Sequence, residues 1–279
     1  MNYRIIVDSC GELTEEMKSS GVFKTVPLSI ELGDETIVDD ANFNQASFLQ
    51  KVKESAVGPK SSCPSPGVFA QSYNCEAERI YVVTISTLLS GTNNSAELGK
   101  SLYEEEFGKK QIHVFNSKTA SVGETLIAYK IWLCEQAGMS FEEVIETVES
   151  YIDKQNTYFV LESLDVLIKT GRLSGMKQVV ATALNIKPIM GATKEGSIFQ
   201  HGKARGIRKA IPKMVEIITS QVENSEEKFL AIAHCNCIER AQEVQQLILD
   251  KIKVKGCLIV DTSGISTMYA NDGGVIVAI

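Results

Sequence analysis

Short apolar runs rich in Ile and Val alternate along the chain with segments of helical periodicity. In the first half, Tyr3–Asp8, Arg79–Ile85 and Ile112–Phe115 are almost continuously apolar. That pattern is typical of strands buried on both faces of a parallel sheet. Helices are predicted after these strands, over Asn44–Lys53, Thr92–Glu106, Thr119–Gln136 and onward from Ser140, where Glu143 completes a capping box.

Two further segments complete the first half. The extended stretches Val22–Leu32 and Thr36–Asp39 flank Gly33-Asp34, which predicts a hairpin. The stretch Ser55–Gly67 is rich in glycine and proline and is predicted to be a loop.

The second half predicts a mixed sheet. Ile186–Gly191 and Ser197–Gln200 flank a Lys194-Glu195-Gly196 turn, which favours an antiparallel pair. Other strands are predicted over Thr157–Leu161, Phe229–Ala233, Gly256–Val260 and Gly274–Ile279, with helices over Leu164–Lys169, Met176–Leu184, Ile207–Glu223 and Ile238–Lys251. We therefore predict an α/β protein of two domains. A three-layer α/β/α domain with a mainly parallel sheet occupies residues 1–155, and a mixed-sheet α/β domain occupies residues 156–279.

Composition narrows the class of protein. The chain has 279 residues, of which 44% are hydrophobic and 23% charged, a globular balance rather than a disordered one. Its 28 Lys and Arg against 35 Asp and Glu give a net charge of −7, which disfavours broad nucleic-acid binding. No apolar stretch approaches the ~18 residues of a membrane span, and Met1–Asp8 does not read as a signal peptide. We expect a cytoplasmic protein.

The seven cysteines do not predict disulfides or a metal site. Their number is odd and they are scattered along the chain. Cys235 and Cys237 form the only close pair, and His234 is the only histidine beside them. A zinc site needs more ligands than these, so we expect neither a metal nor a cofactor.

Four loops that follow predicted strands carry hydroxyl side chains, and parallel α/β sheets bind ligands at the carboxyl ends of their strands. These loops are Asp8–Gly11, Ser61–Gly67, Ser86–Ser95 and Asn116–Ser121. In the third, Gly91 permits a close turn at a helix start, where free N–H groups suit a carboxylate or phosphate, and Ser90 adds a hydroxyl. Plain helix capping explains the same residues, so both interpretations stay open.

Well-known catalytic motifs do not fit these loops. No Gly-Lys-Ser/Thr is present for a P-loop, and the turn after the first strand has only Gly11 for a dinucleotide fingerprint. Neither Ser62 nor Ser90 lies in a Gly-x-Ser-x-Gly motif, and no base for a serine nucleophile is evident.

Arg172 is the most informative basic residue. It lies in a loop between Gly171 and Gly175, and its planar guanidinium can hold a carboxylate or phosphate by two parallel hydrogen bonds. An exposed loop arginine without a ligand is the alternative. A second basic group, Lys203–Lys209, is predicted to open a helix, where cations oppose the helix dipole.

Taken in order, these segments resemble the DegV family of bacterial fatty-acid-binding proteins. Val7-Asp8-Ser9 matches the family's opening strand with Asp-Ser, and Ser61–Gly67 matches its Thr-Ser-x-Pro-Ser-Pro-Gly loop with Ser in first place. The remaining matches are Thr87–Thr92 to Ser-x-x-Leu-Ser-Gly-Thr, Gly171–Ser174 to Gly-Arg-Leu/Ile-Ser, Leu184–Ile189, and Lys203–Gly206. The resemblance covers nearly the whole chain.

The resemblance implies a DegV-like fold that holds a long-chain fatty acid between its two domains. The tail would lie in an apolar tunnel, and hydroxyls and backbone amides would hold the carboxylate. By position, the implied head-group residues are Ser61, Ser62, Ser90, Gly91 and Arg172. The protein would have no catalysis of its own and would present the acid to a separate kinase subunit of fatty acid kinase.

The chain departs from the family near its end. Where the family has a Thr-His-x-Gly-Pro-Gly segment, Tyr269 takes the place of the histidine. Tyrosine donates a hydrogen bond but stays neutral near pH 7, so we expect Tyr269, in a loop before the last strand, to act as a neutral donor near the head group. Packing in the core is the alternative. Two rival functions stay open: an acyl or phosphoryl transferase using Ser90 or Ser62, and a binding module for another amphiphilic anion.

Overall fold

The computed structural model of the protein describes residues 2–173 and 185–279. Its strands are β1 (Tyr3–Asp8), β2 (Phe23–Val26), β3 (Ser29–Leu32), β4 (Glu35–Val38), β5 (Lys60–Ser62), β6 (Arg79–Thr84), β7 (Gln111–Asn116), β8 (Thr157–Val160), β9 (Ile186–Ala192), β10 (Ile198–Arg205), β11 (Phe229–His234), β12 (Gly256–Asp261) and β13 (Val275–Ala278). Its α-helices are α1 (Glu15–Ser19), α2 (Gln45–Glu54), α3 (Pro66–Tyr73), α4 (Thr92–Phe107), α5 (Val122–Gln136), α6 (Phe141–Ile152), α7 (Asp165–Lys169), α8 (Ile207–Gln221), α9 (Ile238–Leu249) and α10 (Gly264–Ala270). The helix predicted over Met176–Leu184 lies outside the described residues.

The first sheet is parallel, as its apolar runs predict. Its strand order is β2-β1-β6-β7. Alternate residues of β1 enter different cores, because successive side chains of a strand point to opposite faces. Ile5 and Val7 pack in the cluster that contains α5 and α6, whereas Ile6 packs in the cluster that contains α3 and α4. Helices therefore cover both faces, and the prediction of a three-layer arrangement with a mainly parallel sheet is confirmed.

The second sheet is mixed, also as predicted. Its order is β10-β9-β8-β13-β11-β12, in which β11 and β12 are parallel and the other pairs antiparallel. Strand β13 lies between β8 and β11, in the interior of the sheet. Helices α8 and α9 pack on one face through a cluster that includes Ile211, Met214 and Val244.

Helix α5 lies between the two sheets. Ile127 and Ile131 pack with the core of the parallel sheet, and Val122 and Leu126 pack against Ala231, Ala233 and Ala278 of the mixed sheet. A helix that is apolar on several sides is suited to this position. The strands of the mixed sheet all follow residue 156, but α5 contacts both sheets, so the domain boundary near residue 155 stays a prediction.

A third, antiparallel sheet has the order β4-β3-β5. The hairpin predicted at Gly33-Asp34 is confirmed, and Gly33 has a φ of 61° there. The prediction of a loop over Ser55–Gly67 is wrong in part. Strand β5 forms inside it by pairing with β3, a tertiary contact that the glycine and proline content does not reveal, and α3 begins at Pro66, a favourable first helical position.

Two other segments differ from the sequence-based expectation. Lys203 and Arg205 belong to strand β10, because Gly206, with a φ of 75°, separates them from α8. The segment before the last strand, expected to be a loop, contains helix α10 and places Tyr269 on it. The capping box of α6 is confirmed: the backbone N–H of Glu143 donates to Ser140 Oγ at 3.2 Å, and the backbone N–H of Ser140 donates to Glu143 Oε2 at 2.8 Å.

Candidate functional site

An apolar cavity lies between the loops that follow β1, β6 and β7 and one face of the mixed sheet. On the sheet side, the lining residues Thr157 and Phe159 lie at alternate positions of β8, and Leu161 directly follows the strand. Ile276 of β13, which pairs with Phe159, also lines the cavity. The opposite wall includes Cys10, Ile85, Ala120, Ile265 and Leu89. The volume of the cavity is about 100 Å³, which is smaller than the ~300–1,000 Å³ of usual small-molecule pockets. Lining side chains must therefore move to admit a large ligand.

Four of the residues that the sequence analysis singled out line this cavity. They are Ser61, Ser90, Arg172 and Tyr269. The Ser61 hydroxyl and the Tyr269 hydroxyl lie 2.9 Å apart and share a hydrogen bond. The guanidinium carbon of Arg172 lies 5.8 Å from the centre of the Tyr269 ring, a cation–π distance. Arg172 is the one charged side chain among the described lining residues. The tertiary fold thus gathers hydroxyls and one cation from four separate segments of sequence.

Helix α10 carries Tyr269 to the cavity, and a buried carboxylate holds the start of that helix. Asp39 is 2% exposed and accepts hydrogen bonds from the backbone N–H groups of Gly264 at 2.6 Å and Ile265 at 2.8 Å. This contact satisfies two of the free N–H groups at the helix N-terminus. Burial raises the pKa of Asp39, and these two hydrogen bonds oppose the rise. Sequence analysis missed this role, since Asp39 lies 225 residues before its partner in the chain.

Ser90 lies in the loop between β6 and α4. Its backbone N–H donates to the carbonyl of Ser86 at 3.1 Å, and its hydroxyl shares a hydrogen bond with Thr92 Oγ1 at 2.9 Å. The Ser86 hydroxyl in turn donates to the carbonyl of Gly196 at 2.8 Å, in the turn between β9 and β10. The loop is therefore attached to the mixed sheet across the cavity. No histidine or carboxylate of the described chain bonds to the Ser90 hydroxyl.

Arg172 is half-buried at the same end of the cavity. Its Nε donates to the carbonyl of Leu89 at 3.2 Å, and its Nη1 donates to the carbonyl of Thr170 at 2.9 Å. The contact with Leu89 joins Arg172 to the loop that carries Ser90, so the two segments lie beside one another at the cavity wall.

Ser62 and Gly91 are placed differently from their neighbours. Ser62 is exposed on β5, where it pairs with Ser29, and Gly91 is exposed at the start of α4. Neither lines the cavity. Their participation in head-group binding stays a prediction.

Sequence analysis did not single out several lining residues. Thr119, Ser121 and Cys10 come from loops that it identified as binding loops without assigning the residues a role. Ser266 comes from α10 and donates to the carbonyl of Cys10 at 3.1 Å. Thr157 and Phe159 have the period-two spacing of a strand face, a signal that identifies a shared face but not what it borders.

A cluster of buried carboxyl groups supports the cavity wall. Asp8 accepts from the backbone N–H groups of Cys10 at 2.9 Å and Ile85 at 2.7 Å, and Glu12 accepts from the Ser121 hydroxyl at 2.9 Å. Burial raises the pKa of Asp8 to about 7 and that of Glu12 to about 7. The pKa of Glu124 is raised well above its usual range by burial and by the charges of Asp8 and Glu12. Asp8 and Glu12 thereby hold Cys10, Ile85 and Ser121, which line the cavity.

In the part of the chain that the structure describes, no three His, Cys, Asp or Glu side chains come close enough together to hold a metal ion. No helix within those residues has both the length and the apolar character that crossing a bilayer requires. A cavity with apolar walls, hydroxyls and one arginine has the chemistry to bind an amphiphile with an anionic head.

Known proteins resemble the chain over its whole length. A DegV domain-containing protein of Streptococcus gordonii is 32% identical over 279 residues, which cover 99% of this chain and 98% of the relative. A crystal structure of a DegV family protein from Ruminococcus gnavus, refined with vaccenic acid, is 59% identical with a TM-score of 0.98 over 100% of both chains. The Fatty Acid Kinase (Fak) B3 protein of Streptococcus pneumoniae, loaded with linoleic acid, is 30% identical with a TM-score of 0.88, over 100% of this chain and 99% of that one.

The family match agrees with the resemblance seen in the sequence motifs. The sequence profile of the DegV family, described as a family of uncharacterised proteins, matches residues 2–279. The TM-scores of 0.98 and 0.88 show that the protein has the fold of these solved relatives. The chain belongs to the DegV family.

Proposed function

We propose that this protein binds a long-chain fatty acid in the cavity between the parallel sheet and the mixed sheet. One observation carries the proposal: a cavity with apolar walls has Ser61, Ser90, Tyr269 and a single cation, Arg172, among its lining residues. The relatives from Ruminococcus gnavus and Streptococcus pneumoniae support it, since their structures contain vaccenic acid and linoleic acid.

The carboxylate is assigned to the part of the cavity where Arg172 lies with Ser61, Ser90 and Tyr269. Hydroxyls of Ser61, Ser90 and Tyr269 can each donate to a carboxylate oxygen, and hydrogen bonds to charged groups are worth about 1.5–3 kcal/mol. Ser61 and Tyr269 already lie within hydrogen-bond distance of one another, so a carboxylate can bridge the pair with little rearrangement. Arg172 adds a positive charge that distinguishes an ionised acid from an alcohol. Ser62 and Gly91, which are exposed and do not line the cavity, stay candidates for contacts with the carboxylate.

The hydrocarbon tail supplies most of the affinity. Burial of each methylene contributes about 0.8 kcal/mol, so the dozen or more methylenes of a long-chain acid contribute about 10 kcal/mol before the cost of ordering the chain is subtracted. The face of β8 offers Phe159 and Leu161, and the facing wall offers Ile85 and Ile265. Because the cavity is narrow, binding includes outward movement of these side chains.

The protein presents the acid and does not itself catalyse a reaction. A phosphoryl or acyl transferase that used Ser90 as a nucleophile would need a base beside it, whereas Thr92 is the hydroxyl partner of Ser90 in the described chain. The Streptococcus pneumoniae relative is named as a protein of fatty acid kinase. A separate kinase subunit is therefore the proposed partner, with the carboxylate as phosphoryl acceptor. The cytoplasmic location inferred from the sequence stays a prediction.

Lipid analysis of the purified protein tests this function. The protein is freed of lipid, incubated with a long-chain fatty acid or with the matching alcohol, and examined by native mass spectrometry. We expect one acid per chain and much weaker retention of the alcohol. The double variant Ser90→Ala with Tyr269→Phe should lose selectivity for the acid, and the exposed control Ser101→Ala should not. Failure of the wild-type protein to retain any fatty acid would refute the proposal.

The role of a partner is tested separately. Loaded protein is incubated with ATP, with and without a fatty acid kinase subunit from the same organism, and acyl phosphate is trapped with hydroxylamine. Product that appears without the kinase subunit would establish the transferase alternative and overturn the presenting role.

A further inference from the structure

We propose that a hydrogen-bonded pair of threonines, Thr119 and Thr157, forms the end wall of the cavity and sets the length of the acyl chain that it accepts. The inference rests on the proposed fatty-acid binding and adds a residue-level account of chain selection. Both side chains line the cavity, and neither belongs to the head-group set.

Strand β8 gives the cavity a direction. Thr157, Phe159 and Leu161 all line it, at the alternate spacing of one strand face. Leu161 belongs to the apolar cluster that also contains Tyr269 and Leu167, so this end lies beside the head-group residues. Thr157 is four residues away along the strand, a distance of about 13 Å. Thr157, with Thr119 bonded to it, therefore lies at the far end of this strand face from Leu161 and Tyr269.

The threonines close this end as a unit. Their Oγ1 atoms lie 2.6 Å apart, and the side chains belong to residues that are only 4% and 7% exposed. Each comes from a different side of the cavity, Thr119 from the loop after β7 and Thr157 from the start of β8. The hydrogen bond thus joins the two walls where the apolar space ends.

Gly123 on helix α5 fixes the position of Thr119. A Cβ at residue 123 would lie 2.3 Å from Thr119 Oγ1 and 2.5 Å from its Cγ2, distances that atoms cannot adopt. The missing side chain of the glycine is therefore the space that the threonine occupies. Any larger residue there must push Thr119 out of this position, and towards the cavity.

A polar groove lies on the other side of the pair. It measures about 630 Å³, and Thr119, Thr157 and Ala192 line both the groove and the cavity. The groove carries charged side chains, among them Lys118, which pairs with Asp153 at 2.7 Å. A methyl end gains nothing by entering such surroundings, because burial in an apolar environment drives its binding. The favourable free energy from burying each further methylene therefore ends where the acyl chain reaches the two threonines.

The available length is short for a long-chain acid. An extended chain advances about 1.2 Å per bond, so the ~13 Å between Leu161 and Thr157 takes about eleven bonds. A chain of about sixteen carbons exceeds this distance and must bend within the cavity or press on the end wall. The size of the wall therefore decides which chains fit.

A competition among chain lengths tests the proposal. Lipid-free protein is incubated with an equimolar mixture of saturated acids from about twelve to about twenty carbons, which brackets the cavity length. The bound acids are then extracted and identified by gas chromatography. Thr157→Ala should shift the preferred chain longer by about one or two methylenes, the room left by the lost atoms. Thr157→Leu and Gly123→Ala should shift it shorter, and the near-isosteric Thr157→Val should leave it close to wild type.

Two controls make the result decisive. Thr147→Ala changes a groove residue that does not line the cavity, and should leave the distribution of chains unchanged. Circular dichroism establishes that each variant is folded, and Thr157→Ala carries the test if the larger substitution does not fold. Wild-type distributions in both Thr157→Ala and Gly123→Ala would overturn the end wall while leaving fatty-acid binding intact. Absence of any bound acid in the wild type would instead overturn the proposed function.

Discussion

Replacing the buried Glu12 by glutamine should remove the contribution of Glu12 to the loss of stability that we expect as the pH rises through neutrality, a loss to which Asp8 and Glu124 also contribute. Glu12 is 5% exposed, and burial raises its pKa from 4.5 to about 7. Between these values the unfolded chain loses the proton while the folded protein keeps it. A group that binds its proton more tightly in the folded state makes stability fall as the pH rises, in this case from about pH 4.5 to about pH 7.

The size of the effect follows from the shift. Each pH unit between the unfolded and folded pKa corresponds to about 1.4 kcal/mol, so the ionised Glu12 costs the folded state about 3 kcal/mol above pH 7. Glutamine has nearly the same shape, and its oxygen can still accept from the Ser121 hydroxyl, now 2.9 Å from Oε2. Glu12→Gln should therefore be close to wild type near pH 5 and more stable by up to about 3 kcal/mol near pH 8.

Urea unfolding, followed by the fluorescence of the single Trp132, measures the difference. Burial lowers the pKa of His201 and His234, which makes stability rise with pH near neutrality and opposes the effect of Glu12. Because both histidines are present in the variant, their contribution cancels when variant and wild type are subtracted at each pH. The exposed Glu16→Gln serves as the matched control. A difference between Glu12→Gln and wild type that does not grow from about pH 5 to about pH 8 would contradict the reasoning.

The other predictions concern the head group and use calorimetric titration with a long-chain acid. Ser90→Ala should weaken binding by about 1 kcal/mol or more, and unchanged affinity in a folded variant would exclude Ser90 from the site. Tyr269→Phe should cost about 1 kcal/mol through loss of the hydroxyl that bonds to Ser61. Tyr269→His should make affinity rise as the pH falls below about 6.5, because the imidazole then gains a charge. An affinity of the Tyr269→His variant that does not change with pH would place residue 269 away from the carboxylate. Arg172→Ala should reduce binding or transfer about ten-fold with the fold intact, and Arg172→Lys should restore part of it, since the charge returns without the planar fork; equal affinity in all three proteins would assign Arg172 a structural role only.

The sequence by itself determines the elements and their class, because each depends on local pattern. The apolar run Tyr3–Asp8 identifies a strand buried on both faces, and Ser140 with Glu143 identifies a helix start. The family motifs, each close together in sequence, identify the DegV family and point to Ser61, Ser90 and Arg172. These signals lie within a few residues, so folding does not alter them.

The tertiary structure decides what depends on contacts between distant segments. Helix α10 forms where Asp39 caps it, and strand β5 forms because β3 lies beside it, so neither is visible in the local pattern. The same applies to the pair of Thr119 and Thr157, whose partners come from two walls of one cavity. Sequence motifs name the residues that can hold a carboxylate, but only the packing of the two sheets decides which of them face the same space and how long that space is.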